Sequence, residues 1–291
     1  ELSFTTKEGP FLTFIKPSLN QTLSPGETFA ITWDTNISNQ KISIEFWNDD
    51  TKVSEISNDT NISEKYFSWN VPSDASKGSD YKIKIIHNSD TNKTYYSQKF
   101  KIDNLTYIPD DKFEKYLINK GWDDVMDNYV VTSNINDIKD LSQSNQSLKN
   151  LGIEDLTGIE GFKSLEILDA ENNSFTTVDL AKNINIIQLS FKNNTQLTSL
   201  KLPSNTSNNP SENDLITTIL IDNTDLSNLN TSKLTSLETY SAIGTPLTSV
   251  DFLNNAKLKL FYNTGTSSKK TKLTSIDLSK NTALISLNLR Y

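Results

Sequence analysis

The chain carries two hydrophobic rhythms, and one replaces the other near residue 103. Before that point apolar residues alternate with polar ones: Phe29, Ile31 and Trp33; Ile42, Ile44 and Phe46; Phe67, Trp69 and Val71; Tyr81, Ile83 and Ile85. Period two is the mark of a strand with one buried face. Further strands are expected over 11–16, 51–56 and 95–102. Turn formers separate the runs, among them Ser24-Pro25-Gly26, Asn48-Asp49-Asp50, Lys77-Gly78 and Asn88-Ser89-Asp90. Seven short strands in about 90 residues predict an immunoglobulin-like sandwich. Tyr81, directly after Gly78-Ser79-Asp80, stands where a tyrosine-corner residue would. Trp33 and Trp69 are in phase with the core. Trp47 is out of phase and shares a face with Ser43 and Glu45. An outward Trp either offers a stacking or anchoring surface, or lies under a loop or the next domain.

The segments Leu23-Ser24-Pro25-Gly26-Glu27-Thr28-Phe29, Phe67-Ser68-Trp69-Asn70-Val71-Pro72 and Gly78-Ser79-Asp80-Tyr81-Lys82-Ile83 resemble the Ig-like domain of the Kre9/KNH type. The resemblance covers about residues 10–102. It implies a spacer or accessory module of secreted and surface proteins, without catalytic residues.

From Tyr107 the alternation stops. Pro109-Asp110-Asp111 is a helix start with acids at the positive end of the dipole. Phe113, Tyr116, Leu117 and Lys120 fall on one helical face, and Gly121 is a natural stop. Asp123, Asp124 and Asp127 follow; the choice between a calcium site and backbone caps stays open here.

The second rhythm is a repeat. Leu165-x-x-Leu168-x-Ala170-x-x-Asn173, Leu197-x-x-Leu200-x-Leu202-x-x-Asn205 and Leu273-x-x-Ile276-x-Leu278-x-x-Asn281 share one pattern, and Leu284-x-x-Leu287-x-Leu289 runs up to the end. Segments of the type Thr176-Thr177-Val178-Asp179-Leu180 alternate with segments of the type Leu168-Asp169-Ala170-Glu171, giving repeats of about 20 residues. Insertions are expected at about 203–214 and 264–272. A coil of this kind buries its apolar row only by stacking on neighbours, so a solenoid is predicted. The predicted fold class is mainly β: an Ig-like sandwich over 1–103, a helical cap over 104–147 and a leucine-rich repeat solenoid over 148–291. The Asp of the Thr176-type segments is expected to face solvent.

The repeats resemble the leucine-rich arrays of bacterial surface proteins, of the internalin J type and those of Bacteroidetes. Tyr107-Ile108-Pro109-Asp110-Asp111-Lys112-Phe113-Glu114 resembles the cap that precedes such arrays. In that subgroup a Cys often fills the last inward position of the first segment. Here Ala170, Leu189, Ile221, Thr239, Leu260 and Leu289 are expected at that position. The resemblance implies binding or adhesion.

Composition narrows the chemistry. The 291 residues hold 28 Lys+Arg and 36 Asp+Glu, a net charge of −8, which argues against a nucleic-acid partner. There is no Cys and a single His, so thiolate metal sites, Cys nucleophiles and His-based triads are excluded. No cofactor or metal is expected. No run approaches the roughly 18 apolar residues of a membrane-spanning helix. The start at Glu1 fits either a chain cut to its folded part or a secreted protein whose signal is removed. The repeat resemblance and the lack of disulfides favour a bacterial secreted or surface location.

Three functions compete. The leading expectation is a non-catalytic surface protein that binds a host or neighbour-cell protein through the concave strand face. Alternation places Asp169, Glu171, Gln188, Ser190, Leu220, Asp222, Glu238, Tyr240, Lys259 and Phe261 on it. Leu220, Tyr240 and Phe261 then form either an exposed anchor cluster or a group packed on itself or on the 264–272 insertion. The second expectation is glycan binding, with Trp47 and Tyr95 as stacking platforms. The third, an enzyme with paired carboxylates, finds no motif, and no catalytic residue is assigned.

Overall fold

The computed structural model describes residues 9–203, 215–266 and 271–290. The chain divides into two compact units between Leu105 and Thr106. The Glu1 start, Asn205 and most of the two expected insertions lie outside the described residues.

The first unit is a sandwich of nine strands: β1 (Leu12–Lys16), β2 (Thr22–Leu23), β3 (Thr28–Thr35), β4 (Lys41–Asn48), β5 (Thr51–Asn61), β6 (Tyr66–Asn70), β7 (Gly78–His87), β8 (Asp90–Tyr96) and β9 (Phe100–Ile102). One sheet runs β1-β3-β6; the other runs β2-β9-β7-β4-β5, with β8 on β7. The strand expected over 95–102 is two strands, β8 and β9, split at Ser97. The Ser97 hydroxyl accepts from Ile83 N and donates to the Gln98 carbonyl, which turns the chain. The in-phase residues Ile31, Trp33, Ile42, Ile44, Phe46, Ile83 and Ile85 are fully buried. Trp33 Nε1 donates to the Ile62 carbonyl at 2.9 Å, which satisfies the one polar atom of that ring. Phe46 lies 5.0 Å from both Trp69 and Tyr81. The Tyr81 hydroxyl donates to the Ser76 carbonyl at 2.7 Å, as a tyrosine corner does.

The second unit opens with a ribbon of β10 (Leu105–Tyr107) and β11 (Tyr129–Val131), which encloses helix α1 (Asp111–Asn119). Asp110 starts this helix with one carboxylate oxygen on Lys112 N and Phe113 N. Its other oxygen accepts from Glu154 N at 2.7 Å and Asp155 N at 3.0 Å. One side chain therefore caps the helix and fastens it to the first coil. Phe113, Tyr116 and Leu117 are buried, and Phe113 stacks on Phe162 of that coil at 6.2 Å. Gly121 ends the helix at φ +70°. Glu114, on the same helix, is buried and accepts from Asp127 N at 2.7 Å and from Asn128 N, so it closes the loop back to β11.

The body is a β-solenoid of about six turns. Its parallel sheet runs in chain order through β12 (Asp140–Leu141), β13 (Ile167–Asp169), β15 (Gln188–Ser190), β17 (Thr218–Leu220), β18 (Thr239–Ser241), β19 (Leu260–Thr264) and β20 (Ser286–Arg290). The opposite side carries β14 (Thr177–Asp179) paired with β16 (Ser199–Lys201). The sheet begins at Asp140, within the 104–147 segment assigned from sequence to the cap.

Two polar devices make the coils stackable. Buried Asn side chains bridge neighbours: Asn194 Nδ2 donates to Ala170 O of the preceding coil and Phe191 O of its own, and Asn173 repeats the pattern one coil earlier. On the other side of the coil Asn183, Asn255 and Asn281 each donate to two carbonyls of the preceding turn. The Asp of each Thr176-type segment has a fixed task beyond solubility. Asp179, Asp251 and Asp277 accept from the N–H two residues on, at 2.8, 2.9 and 2.8 Å, and so set the turn that follows.

No helix among the described residues is long and apolar enough to cross a membrane. Among the same residues no group of three or more His, Cys, Asp or Glu is placed to hold a metal ion. Asp123 Oδ1 and Asp127 Oδ1 accept from Asp124 N and Tyr129 N. They act as caps in that loop.

Candidate functional site

The outer face of the seven-stranded sheet is set by register. Leu141, Leu168, Leu189, Ile219, Tyr240, Phe261 and Leu287 are successive partners; the row from Leu141 to Phe261 is buried in the core, and Leu287 on the last described strand is 46% exposed. Asp169, Ser190, Leu220, Ser241, Tyr262 and Asn288 form the next row, one residue on, and point outward by strand alternation.

Six of the ten residues expected on this face are there. Asp169, Glu171, Gln188, Ser190, Leu220 and Asp222 come from β13, β15, β17 and the residues just after them. Their carboxylates are not free charges. Lys149 Nζ lies 2.6 Å from Asp169 and 3.3 Å from Glu171. Ser190 donates to Glu171 at 2.7 Å. Asp222 Oδ1 accepts from Ser241 Oγ at 2.6 Å and Ile243 N at 2.8 Å. Burial pushes the Asp169 carboxyl up, with Lys149 opposing it and Glu171 adding to it.

Tyr240 and Phe261 are corrected: both are fully buried, at 0% exposure. Their rings lie 5.9 Å apart, and Phe252 from the opposite side of the coil sits 5.4 Å from one and 5.0 Å from the other. Burial raises the Tyr240 phenol. Leu237 and Leu258 are the reason for the slip. They match Leu165, the anchor three residues before the first inward strand position, and not Leu168. The frame Leu237-x-x-Tyr240-x-Ala242-x-x-Thr245 puts Tyr240 inside, with Thr245 in the Asn place. Glu238 and Lys259 consequently precede their strands. They pair at 2.8 Å across coils, as Lys139 and Glu166 do. The same shift corrects the last inward row, which holds Ala170, Phe191, Ile221, Ala242, Asn263 and Leu289.

The residues that take the outward places in the C-terminal half are Ile243, Leu260 and Tyr262. With Leu220 they surround Ser241, which points outward yet is only 5% exposed. Leu220 and Tyr262 are its two register neighbours, one strand spacing of about 4.8 Å to either side. The sheet therefore grades from ion-paired carboxylates at β13 and β15 to a half-buried apolar patch over β17, β18 and β19. The L-x-x-L frame, applied to Leu237 and Leu258, was the signal that would have found this patch.

On the sandwich, Trp47 is half-buried on the outer face of β4. Its Nε1 donates to Glu45 Oε2 at 2.9 Å, and the Lys84 ammonium sits 4.6 Å above its ring. Tyr95 is corrected as a platform: it packs against the sandwich core, 5.8 Å from the His87 ring. Its neighbour Tyr96 is the exposed aromatic, at 50%.

Residues 16–102 match the family described as the Kre9/KNH-like N-terminal Ig-like domain. No curated protein matches the chain. Among solved structures the chain is similar to the functional domain of InlJ from Listeria monocytogenes, which is described as including a cysteine ladder. The identity is 15%, the match covers 62% of this chain and 65% of that one, and the TM-score is 0.22. The chain thus spans less than two thirds of the length of that structure.

Proposed function

We propose that this chain is a non-catalytic binding protein, secreted or displayed on a bacterial surface, that holds a partner protein against the outer sheet face of a leucine-rich repeat solenoid. The observation that supports this most is the patch of Leu220, Ile243, Leu260 and Tyr262. Outward apolar side chains on adjacent strands, flanked by satisfied polar residues, have the composition of an interface centre. The ion-paired half beside it supplies a polar rim. A neutral-sugar platform at Trp47 and Tyr95 is less well supported, because Tyr95 packs on the core and Lys84 covers the Trp47 ring.

The test is capture of surface proteins from host or neighbouring cells on the full chain, compared with Leu220→Glu/Tyr262→Glu. A charge placed in an apolar interface centre is costly. Proteins retained by the wild type and by Trp47→Ala, but lost from the double variant, support the reading. Retention that survives the double variant rejects it.

A further inference from the structure

On the outer face of the sandwich, register brings three lysines and two aromatics together. Glu45, Lys84 and Tyr96 stand side by side on β4, β7 and β8. Trp47 stands opposite Lys82 on β7 and Lys52 on β5. The charges in this patch are met unequally. Lys52 lies 2.5 Å from Glu45 and 3.9 Å from Glu55. Among the described residues Lys82 forms an ion pair only with the exposed Asp50, at 3.7 Å. Lys84 makes no ion pair among the described residues. Its ammonium rests on π faces instead, 4.6 Å from the Trp47 ring and 5.6 Å from the Tyr96 ring. Lys82 lies 5.4 Å from that same Tyr96 ring. Two ammonium groups are thus gathered around one exposed tyrosine. Glu45, the buried carboxylate beneath them, is already engaged. Burial would raise it, but the hydrogen bonds from Lys52 and Trp47 and the nearby lysine charges outweigh this and hold it below the usual carboxylate range.

This arrangement selects among ligands. A neutral sugar stacking on Trp47 must displace the Lys84 ammonium and forfeit its cation–π contact. An anion instead meets Lys84 where it stands, with the Lys82 ammonium on the same Tyr96 ring. The exposed Tyr96 ring adds an apolar plane beside the two charges. A ligand that fits both carries a carboxylate on a ring with an apolar C–H face. We propose that the outer face of β4, β7 and β8, centred on Lys84, Tyr96 and Trp47, binds a carboxylated polysaccharide of the uronic-acid class. A carboxylate on a flexible peptide stem matches the charges but not the ring.

The test titrates the full chain with polygalacturonate, with its methyl-esterified form and with poly-L-glutamate, and repeats the first titration with Lys84→Gln and with Tyr96→Ala. Both variants change groups at the surface, and an unchanged unfolding curve checks their fold. Binding to polygalacturonate that exceeds both other polymers at least tenfold, and falls at least tenfold in each variant, is the expected result. Four outcomes overturn the proposal: no binding to polygalacturonate, equal binding to the methyl ester, equal binding to polyglutamate, or undiminished binding in the variants.

Discussion

Strands β13 and β15 and strands β18 and β19 belong to one sheet and share one register, yet they fill the same inward place differently. The first pair uses Leu168 and Leu189, the second Tyr240 and Phe261. The neighbouring inward position compensates between β15 and β18. Phe191 accompanies Leu189, whereas Ala242 accompanies Tyr240, so β15 and β18 exchange the large place between the two rows; β13 carries the small Ala170 beside Leu168. The capping position differs too: Asn173 and Asn194 bridge coils in the first half, and Thr224 and Thr245 take the place in the second, both with a hydroxyl on Ile221 O. The lesson is that the coil fixes positions, not residue types. An aromatic in a solenoid is inside or outside according to its distance from the leucine anchor.

The aromatic pair carries the largest expected effect. Removing a buried Phe or an equivalent ring typically costs about 3–5 kcal/mol. Tyr240 and Phe261 touch, so their losses do not simply add. Tyr240→Ala/Phe261→Ala should still lose at least about 5 kcal/mol, enough to threaten the solenoid outright given ordinary domain stabilities. Urea unfolding followed by circular dichroism measures this. Tyr240→Phe, by contrast, should leave stability unchanged or raised, since the buried hydroxyl has no hydrogen-bond partner among the described residues.

Phe113→Ala comes next, at about 3–5 kcal/mol, because α1 closes the first coil as the aromatics fill the later ones. A melting temperature within error of the wild type would make the helix dispensable. A smaller effect is expected at the Asn place. Asn194→Ala strands the carbonyls it serves and should cost about 1–3 kcal/mol, while Asn194→Thr, which imitates the second half, should cost less. Equal losses would deny that the two halves use equivalent caps.

Asp123 gives a pH signature confined to the cap. Burial chiefly, then the charges of Asp127, Glu114 and Asp124, outweigh a hydrogen bond from Asp124 N and raise its pKa to about 6. An unfolded Asp titrates near 3.9. The folded state therefore holds its proton longer, and stability falls as pH rises from about 4 to about 6. Asp123→Asn should flatten that window and melt above the wild type at pH 7. Thermal melts from pH 4 to pH 7 decide it.

Most of the sandwich was legible from alternation alone because its central strands β3, β4 and β7 bury one face of β-branched and aromatic residues. Ile42, Ile44 and Phe46 needed no further information. The surroundings of Trp47 were not legible, since Lys84 and Tyr96 reach it through pairing between strands distant in sequence. The repeat length and the cap helix followed from the leucine anchors and from Pro109-Asp110. The double role of Asp110 did not, because its second pair of donors, Glu154 N and Asp155 N, comes from a turn some forty residues away. The apolar patch failed for a narrower reason. Period-two alternation fixes a face only once the strand start is known, and a one-residue error moves every side chain to the opposite face. Ala242-x-x-Thr245, set beside Ala170-x-x-Asn173, carried the correct start.

The smallest change in stability is expected from Tyr262→Ala, about 1 kcal/mol for a half-buried ring, and the outward placement of that ring, against the inward placement of Tyr240 and Phe261, is also the most direct test of the solenoid register. Hydroxyl-radical footprinting of the full chain, read by mass spectrometry residue by residue, compares Tyr262 with Tyr240 and Phe261 in one experiment. Labelling of Tyr262 in the native protein is expected, with Tyr240 and Phe261, at 0% exposure, protected until the solenoid unfolds. Labelling of Tyr240 and Phe261 in the native protein, with Tyr262 protected, would contradict that register.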